Sequence, residues 1–404
     1  MRPRIILFDL NQEGHHPQYL ECLMRYWTLR QPGGELHLVV SKESAARHPV
    51  FGELAETARG ATVHQASTPA GFASGEANAF KSERLNRKLA KQYAEALRAD
   101  HLMFMSLDSV QFSLALDLRF SWPLALSGIY FRPSFHYGEL EGQRVARERM
   151  TAVAKQLTIR AALRNPHLRT LFSLDPLATP GLMQWARHTD CIYLPEPLWD
   201  PPNDVRGSPL TQGLEPTRRR LVLFGSLDKR KGVLLVLDAL QGLPDNLQRK
   251  LSLILAGRLN DREGPELRRR IHSFEAGSAV QLAFNDDHIP EAEIQPLLRS
   301  CDLVLVTYQR HTGSSGLLIR AAAAGVPVLA SNHGLVGSQV RSHGLGLTVD
   351  STSADEIRTA IAQWVDHPKA IPFDADAAER FARANTADAF SETIFNRLLV
   401  REHQ

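Results

Sequence analysis

At 404 residues and 43% hydrophobic, the chain is longer than one core ordinarily serves and too apolar to be disordered, so two domains are expected. A formal charge of +3 excludes the dense positive field of a nucleic-acid binder and is compatible with an anionic small molecule or an acidic membrane surface. Cys22, Cys191 and Cys301 stand far apart in mostly apolar settings, which argues against a disulfide framework or a zinc site and predicts buried thiols in a reducing cytoplasm. The opening MRPRIILFDL is too short for a signal segment, and no later run approaches the roughly 18 apolar residues of a membrane span.

In chain order, Arg4 to Leu10 reads as an apolar strand, followed by a polar loop at Asn11 to His16. A helix follows whose apolar positions include Tyr19, Leu20, Leu23, Met24 and Trp27. Strands are expected at Glu35 to Ser41, Ala61 to Gln65, His101 to Met105, Pro123 to Tyr130, Thr170 to Ser173 and Cys191 to Leu194, with helices at Asn78 to Ala99 and Gln143 to Leu163. Short apolar strands alternating with amphipathic helices predict a parallel sheet covered on both faces. Residues 1–200 are read as this first domain. The Pro-rich segment 201–216 has no useful periodicity and reads as a linker.

The pattern then restarts over 217–375. Strands are expected at Arg220 to Phe224, Leu251 to Ala256, Val280 to Phe284, Asp302 to Thr307, Val326 to Ala330 and Leu345 to Val349. Helices are expected at Gly232 to Leu240, Glu266 to Phe274, Glu291 to Arg299, Leu317 to Ala324 and Ala354 to Val365. One last helix from Ala377 to Leu399 closes the chain. Two doubly wound α/β halves of this kind predict a cleft at the strand ends, where such folds bind ligands.

Within the second half, HTGSSGLLIRAAAAGVPVLA at 311–330 joins a glycine loop, a small-residue helix and a buried strand. Gly313 and Gly316 bracket Ser314 and Ser315, so backbone N–H groups and hydroxyls meet a ligand where a helix begins, a combination that favours anions. The bland alternative is an ordinary loop-helix-strand crossover.

Taken with FGSLDKRKG at 224–232, LILAGR at 253–258 and the segment Val280 to Val306, this stretch resembles the C-terminal half of the retaining GT-B glycosyltransferases of family 4, the glycosyl transferases group 1. The likeness is good over about 217–365 and looser over the first 200 residues. It implies a GT-B architecture of two Rossmann-like domains, the C-terminal one holding a UDP-, GDP- or ADP-sugar and the N-terminal one the hydroxyl acceptor. It also implies a final helix, 376–404, that crosses back to the first domain.

Such a donor leaves as a nucleoside diphosphate, whose developing charge needs cations and N–H donors. Lys231 matches the family's lysine-glycine pair, with Gly225 and Gly232 at its glycine positions; otherwise it is a solvated lysine beside Lys229 and Arg230. Arg258, next to Gly257, is the second cation expected. Ser226, Arg230, His311, Thr312, Gly313, Ser314, Ser315, Gly316, Leu317 and Arg320 complete the expected donor site. On the acceptor side the resemblance points to the loop of Gly14, His15 and His16, and the catalytic candidates are His16 with Asp108, Arg132 and His136 at strand ends. Asp108 equally suits the cap of a helix starting near Val110, and adjacent histidines make a poor metal pair.

The chain departs from the family where two glutamates are usual: those positions hold Thr312 and Arg320, and Ser226 replaces a common arginine. The reading is therefore a metal-independent, retaining hexosyl transfer in polysaccharide or glycoconjugate biosynthesis. No cofactor and no nucleic-acid partner is expected, and the acceptor is a glycan or lipid-linked hydroxyl. The expected location is cytoplasmic, with at most peripheral contact to the inner membrane. The alternative is a silent GT-B scaffold that binds nucleotide-sugar or glycan as a partner subunit. A dinucleotide oxidoreductase lacks its G-x-G-x-x-G signature here.

Overall fold

The computed structural model describes residues 3–11, 15–69, 79–117, 122, 124–131, 133, 146–198, 207–260 and 263–399. The chain forms two compact units, Met1–Pro197 with Ala387–Gln404, and Leu198–Thr386.

In the first unit, β1 (Arg4–Asp9), β2 (Glu35–Ser41), β3 (Ala61–Ala66), β4 (His101–Phe104), β5 (Ala125–Tyr130), β6 (Leu168–Ser173) and β7 (Asp190–Tyr193) pair in the order β3-β2-β1-β4-β5-β6-β7. Every pairing is parallel, with Phe8 of β1 level with Val39 on one side and Phe104 on the other. Helices cover both faces, so β1 is an unbroken apolar run from Ile5 to Phe8.

The second unit repeats the plan with β8 (Arg219–Phe224), β9 (Leu251–Ala256), β10 (Gln281–Asn285), β11 (Leu303–Val306), β12 (Val328–Ser331) and β13 (Gly346–Val349), in the order β10-β9-β8-β11-β12-β13 and all parallel. Alternate side chains feed two cores. Leu221 and Leu223 pack with the helices Val233–Gln241 and Ala354–Asp366, while Val222, Ile254 and Val304 pack with Gly316–Ala324 and Ala375–Ala384. Strand order reverses between β1 and β4 in the first sheet and between β8 and β11 in the second.

Three features depart from the reading of the sequence. The last helix is two, Ala375–Ala384 in the second unit and Ala387–Leu398 in the first, so the returning segment begins at Ala387 and not at 376. Between them Asn385 turns its amide onto the Phe381 carbonyl, and its own carbonyl accepts from Leu198 N, which also bridges to Thr386. The described part of the expected linker contains a 3-10 turn at Pro209–Thr211, and Leu214 is buried in the second unit's core. Helices at Lys42–Arg47, Val50–Thr57, Thr179–Trp185, Asp245–Gln248 and Gly334–His343 were not foreseen, being short or interrupted by glycine and polar residues that mask the period.

The three cysteines are buried and free, and burial pushes the Cys191 and Cys301 thiols up to about 12. Among the described residues no helix is long and apolar enough to cross a membrane.

The returning helix is held by aromatic packing: Phe390 lies 5.0 Å from Tyr19, and Phe395 lies 5.6 and 5.2 Å from Tyr26 and Trp27. Phe395→Ala should therefore cost about 3–5 kcal/mol in the first unit, read from its denaturant midpoint. A second prediction concerns His101, buried in β4 with Nε2 2.8 Å from Ser127 Oγ. Burial, and secondarily the charge of Arg169, lowers its pKa from 6.5 to about 4. The unfolded chain therefore takes up a proton that the folded chain refuses. Stability should be full above about pH 6.5, fall by about 1.4 kcal/mol per pH unit below that, and level off near pH 4. His101→Gln should flatten this slope in denaturation curves taken between pH 4 and 7.

Candidate functional site

In the second unit the loop after β8 is built around a short turn, Lys229–Lys231, capped by Asp228, whose Oδ1 accepts from Lys231 N at 3.0 Å. The Lys231 carbonyl accepts from Thr307 Oγ1 at 3.0 Å, which ties this loop to the chain leaving β11. Its side chain is folded inward: Lys231 is 9% exposed, and its Nζ donates to Tyr308 Oη at 2.8 Å while lying 4.1 Å from the ring centroid. Tyr308 Oη is in turn 3.0 Å from Ser315 Oγ, and Ser315 caps the helix Gly316–Ala324 by accepting from Leu318 N.

Glycines make room for this arrangement. Gly225, at φ +109°, would place a Cβ 3.3 Å from Lys231 Nζ; Gly257, at φ +131°, would drive one to 2.1 Å from the Gly225 carbonyl oxygen. Both positions thus demand glycine for backbone shape and for close approach.

Around this centre Arg230 holds its guanidinium 5.9 Å from the Tyr308 ring, with Asp228 Oδ2 at 3.5 Å. His311 packs edge-on to Tyr308 at 5.3 Å and places Nε2 3.0 Å from the Ser314 carbonyl. Leu317 is buried in the core, and the Thr312 backbone lies tight against Gly334. Gly313 sits against the His311 ring. Arg258 and Ser226 are exposed, and the Arg258 guanidinium has no ion-pair partner among the described residues. Arg320 is drawn elsewhere: its Nη1 pairs with Glu291 Oε1 at 2.6 Å, with 13% of its side chain exposed.

Among the described residues no carboxylate stands within ion-pair distance of Lys231 Nζ. Lys229, by contrast, pairs outward with Glu266 at 2.7 Å. The structure therefore separates two neighbouring lysines that look alike in sequence, burying Lys231 with no counter-charge among the described residues and leaving Lys229 exposed.

In the first unit His16 after β1 and Asp108 after β4 both meet Phe131 at the end of β5. Asp9, 2% exposed, presents Oδ1 to Asn11 N at 2.9 Å and Oδ2 to His16 Nδ1 at 2.7 Å. A buried carboxylate on Nδ1 fixes the ring's orientation and favours the form with a proton on that nitrogen. His16 also packs on Phe131 at 5.2 Å, and His15, exposed, stacks on Tyr19 at 6.0 Å. Asp108 does not cap the helix at Gln111–Ala115; its Oδ2 accepts from Phe131 N at 2.8 Å, linking the ends of β4 and β5. Gly14, Arg132 and His136 lie outside the described residues.

Sequence reasoning missed Asp9, Tyr308 and Glu291. Asp9 had a signal, an acid closing an apolar strand; Tyr308 and Glu291 had none, because their partners are 77 and 29 residues away.

Two parallel-sheet Rossmann-like units with a C-terminal segment returning to the first define the GT-B fold. Solved structures share it along nearly the whole chain. Anabaena Alr3699/HepE in complex with UDP and glucose matches with a TM-score of 0.66 at 17% identity, covering 98% of this chain and 99% of that one. Sucrose-phosphate synthase from Thermosynechococcus elongatus matches with a TM-score of 0.68 at 15% identity, covering 98% of each. Residues 211–386 match the family Glycosyl transferases group 1, a stretch that lies within the second unit. A D-inositol 3-phosphate glycosyltransferase of Rhodococcus opacus (strain B4) is 34% identical over 122 residues, 29% of this chain; the match spans 27% of that relative's length. The corresponding protein of Rhodococcus jostii (strain RHA1) gives the same identity over 26% of its length.

The Arg320–Glu291 pair makes a prediction. Arg320→Glu removes the pairing and sets two carboxylates side by side, which should cost about 1–3 kcal/mol at this partly exposed site. The swap Arg320→Glu with Glu291→Arg should recover most of that loss, as read from urea midpoints.

Proposed function

We propose that this protein transfers a sugar from a nucleoside diphosphate donor to a hydroxyl acceptor, and that the second unit binds the donor. The observation that carries the reading is the Lys231 ammonium, buried with no carboxylate in ion-pair reach among the described residues, at the strand-order reversal and beside the start of a nine-residue helix. A buried cation without a counter-charge is costly, and an arriving anion relieves that cost. The diphosphate of a leaving nucleotide fits, because its charge grows as the glycosidic bond breaks.

Lys231, Arg230, Arg258 and the helix start at Ser315 and Gly316 supply the compensating positive field, so the reading requires no metal. The UDP and UDP-glucose complexes of the Anabaena structures support the choice of ligand class. We read the transfer as retaining and hexosyl, following the family resemblance. On the acceptor side we assign His16, oriented by Asp9, to polar contact with the reacting sugar or acceptor hydroxyl. The acceptor is read as a glycan or a lipid-linked hydroxyl, and the enzyme as cytoplasmic.

Melting curves with UDP, GDP and ADP test the reading, since a ligand that binds only the native state raises the midpoint. One of the three should do so, and its sugar conjugate should be turned over with a hydroxyl acceptor. Lys231→Ala should weaken that nucleotide at least roughly tenfold, the loss of a charge-assisted contact being about 1.5–3 kcal/mol, while the fold is retained. Binding without turnover across a panel of sugar donors and acceptors would instead favour a silent scaffold. No binding at all would remove the donor site.

A further inference from the structure

We propose that Tyr308 is a positioning residue for the donor phosphates: its hydroxyl locks the Lys231 ammonium and the Ser315 hydroxyl into one preset anion-binding pair. The inference rests on the donor reading above and adds a residue which that reading does not require.

The hydrogen-bond inventory carries it. An ammonium only donates, so Tyr308 Oη accepts from Lys231 at 2.8 Å. Between Tyr308 Oη and Ser315 Oγ, 3.0 Å apart, one hydroxyl hydrogen is spent, whichever oxygen donates. The two hydroxyls hold two hydrogens, so one is left over. Ser315 Oγ also accepts the helix's Leu318 N–H at 3.3 Å. Lys231 keeps two further N–H groups, which meet no acceptor among the described residues. The cluster is thus rich in donors and poor in acceptors at a place where Tyr308 is 4% exposed and Lys231 9%. Such an imbalance suits phosphate oxygens, which only accept.

Rigidity is the second part. A lysine has a flexible four-carbon stem, and holding it still on ligand arrival costs side-chain entropy. Here the phenol does the holding beforehand. Its ring is fixed by the edge contact with His311 at 5.3 Å, and its backbone carbonyl accepts from Ser351 Oγ at 2.8 Å. Tyr308 also belongs to the second unit's core, so packing alone is the competing role.

Tyr308→Phe separates the two, because the ring stays and only the hydroxyl goes. The measurement is calorimetric affinity for UDP, GDP and ADP, and for the nucleoside of the tightest binder, in wild type, Tyr308→Phe, Lys231→Ala and the double variant. We expect Tyr308→Phe to weaken the diphosphate about 5- to 30-fold, leave the nucleoside unchanged, and keep the melting temperature within a few degrees. In the double variant the losses should be clearly less than the product of the single ones, as for groups acting as a unit. Wild-type affinity in Tyr308→Phe, equal loss for nucleoside and diphosphate, or multiplicative losses would each overturn the positioning role while leaving the donor reading intact. If wild type binds none of the three diphosphates, both fall together.

Discussion

The constraint on which the functional parts depend is the reversal of strand order inside each parallel sheet. Right-handed crossovers send the chain from β8 to β9 over one face and from β8's other neighbour, β11, toward β12 over the opposite face. The loops leaving β8 and β11 are therefore adjacent but diverging. Lys231 comes from one loop, Tyr308 and Ser315 from the other; residues 77 positions apart in sequence meet because two neighbouring strands end together. The first unit repeats the device at β1 and β4, where Asp9 and His16 follow one strand and Asp108 follows the other.

Much of this was legible in the sequence because strands buried on both faces must be apolar throughout. All thirteen strands among the described residues stand within two residues of the bounds expected from the sequence. Glycine also speaks plainly: Gly225, Gly257 and Gly325 adopt positive φ where the sequence reading places loop turns and a helix end. The break at Asn385 was not legible. Its residues continue a helical period on either side, and what stops the helix is a hydrogen bond from Leu198, nearly two hundred positions earlier. The same limit hid Tyr308, which in sequence is one more aromatic at a strand end. Its meaning lies in the ammonium that a distant loop lays against it. Local pattern reports which face of an element is apolar; it does not report which polar groups from separate elements converge.

The replaced glutamates show what convergence does to a motif argument. Arg320 in place of an acid looks, in sequence, like an added cation in the donor site. In the structure its guanidinium is paired with Glu291 from the first turn of the helix Glu291–Arg299, so the two charges cancel locally. An ion pair at 2.6 Å acts at longer range as a dipole, and its field falls off faster than that of a single charge. The acid-to-base change at 320 therefore introduces a paired charge, not a lone cation. It is also not free to grip phosphate without leaving Glu291 unpaired. On the donor reading proposed above, the charge that an incoming diphosphate would meet is that of Lys231, Arg230 and Arg258 with the helix start at Ser315. It follows that loss of the motif glutamate is poor evidence for a dead site: the Lys231 ammonium is still buried, with no carboxylate in ion-pair reach among the described residues, and still hydrogen-bonded to Tyr308.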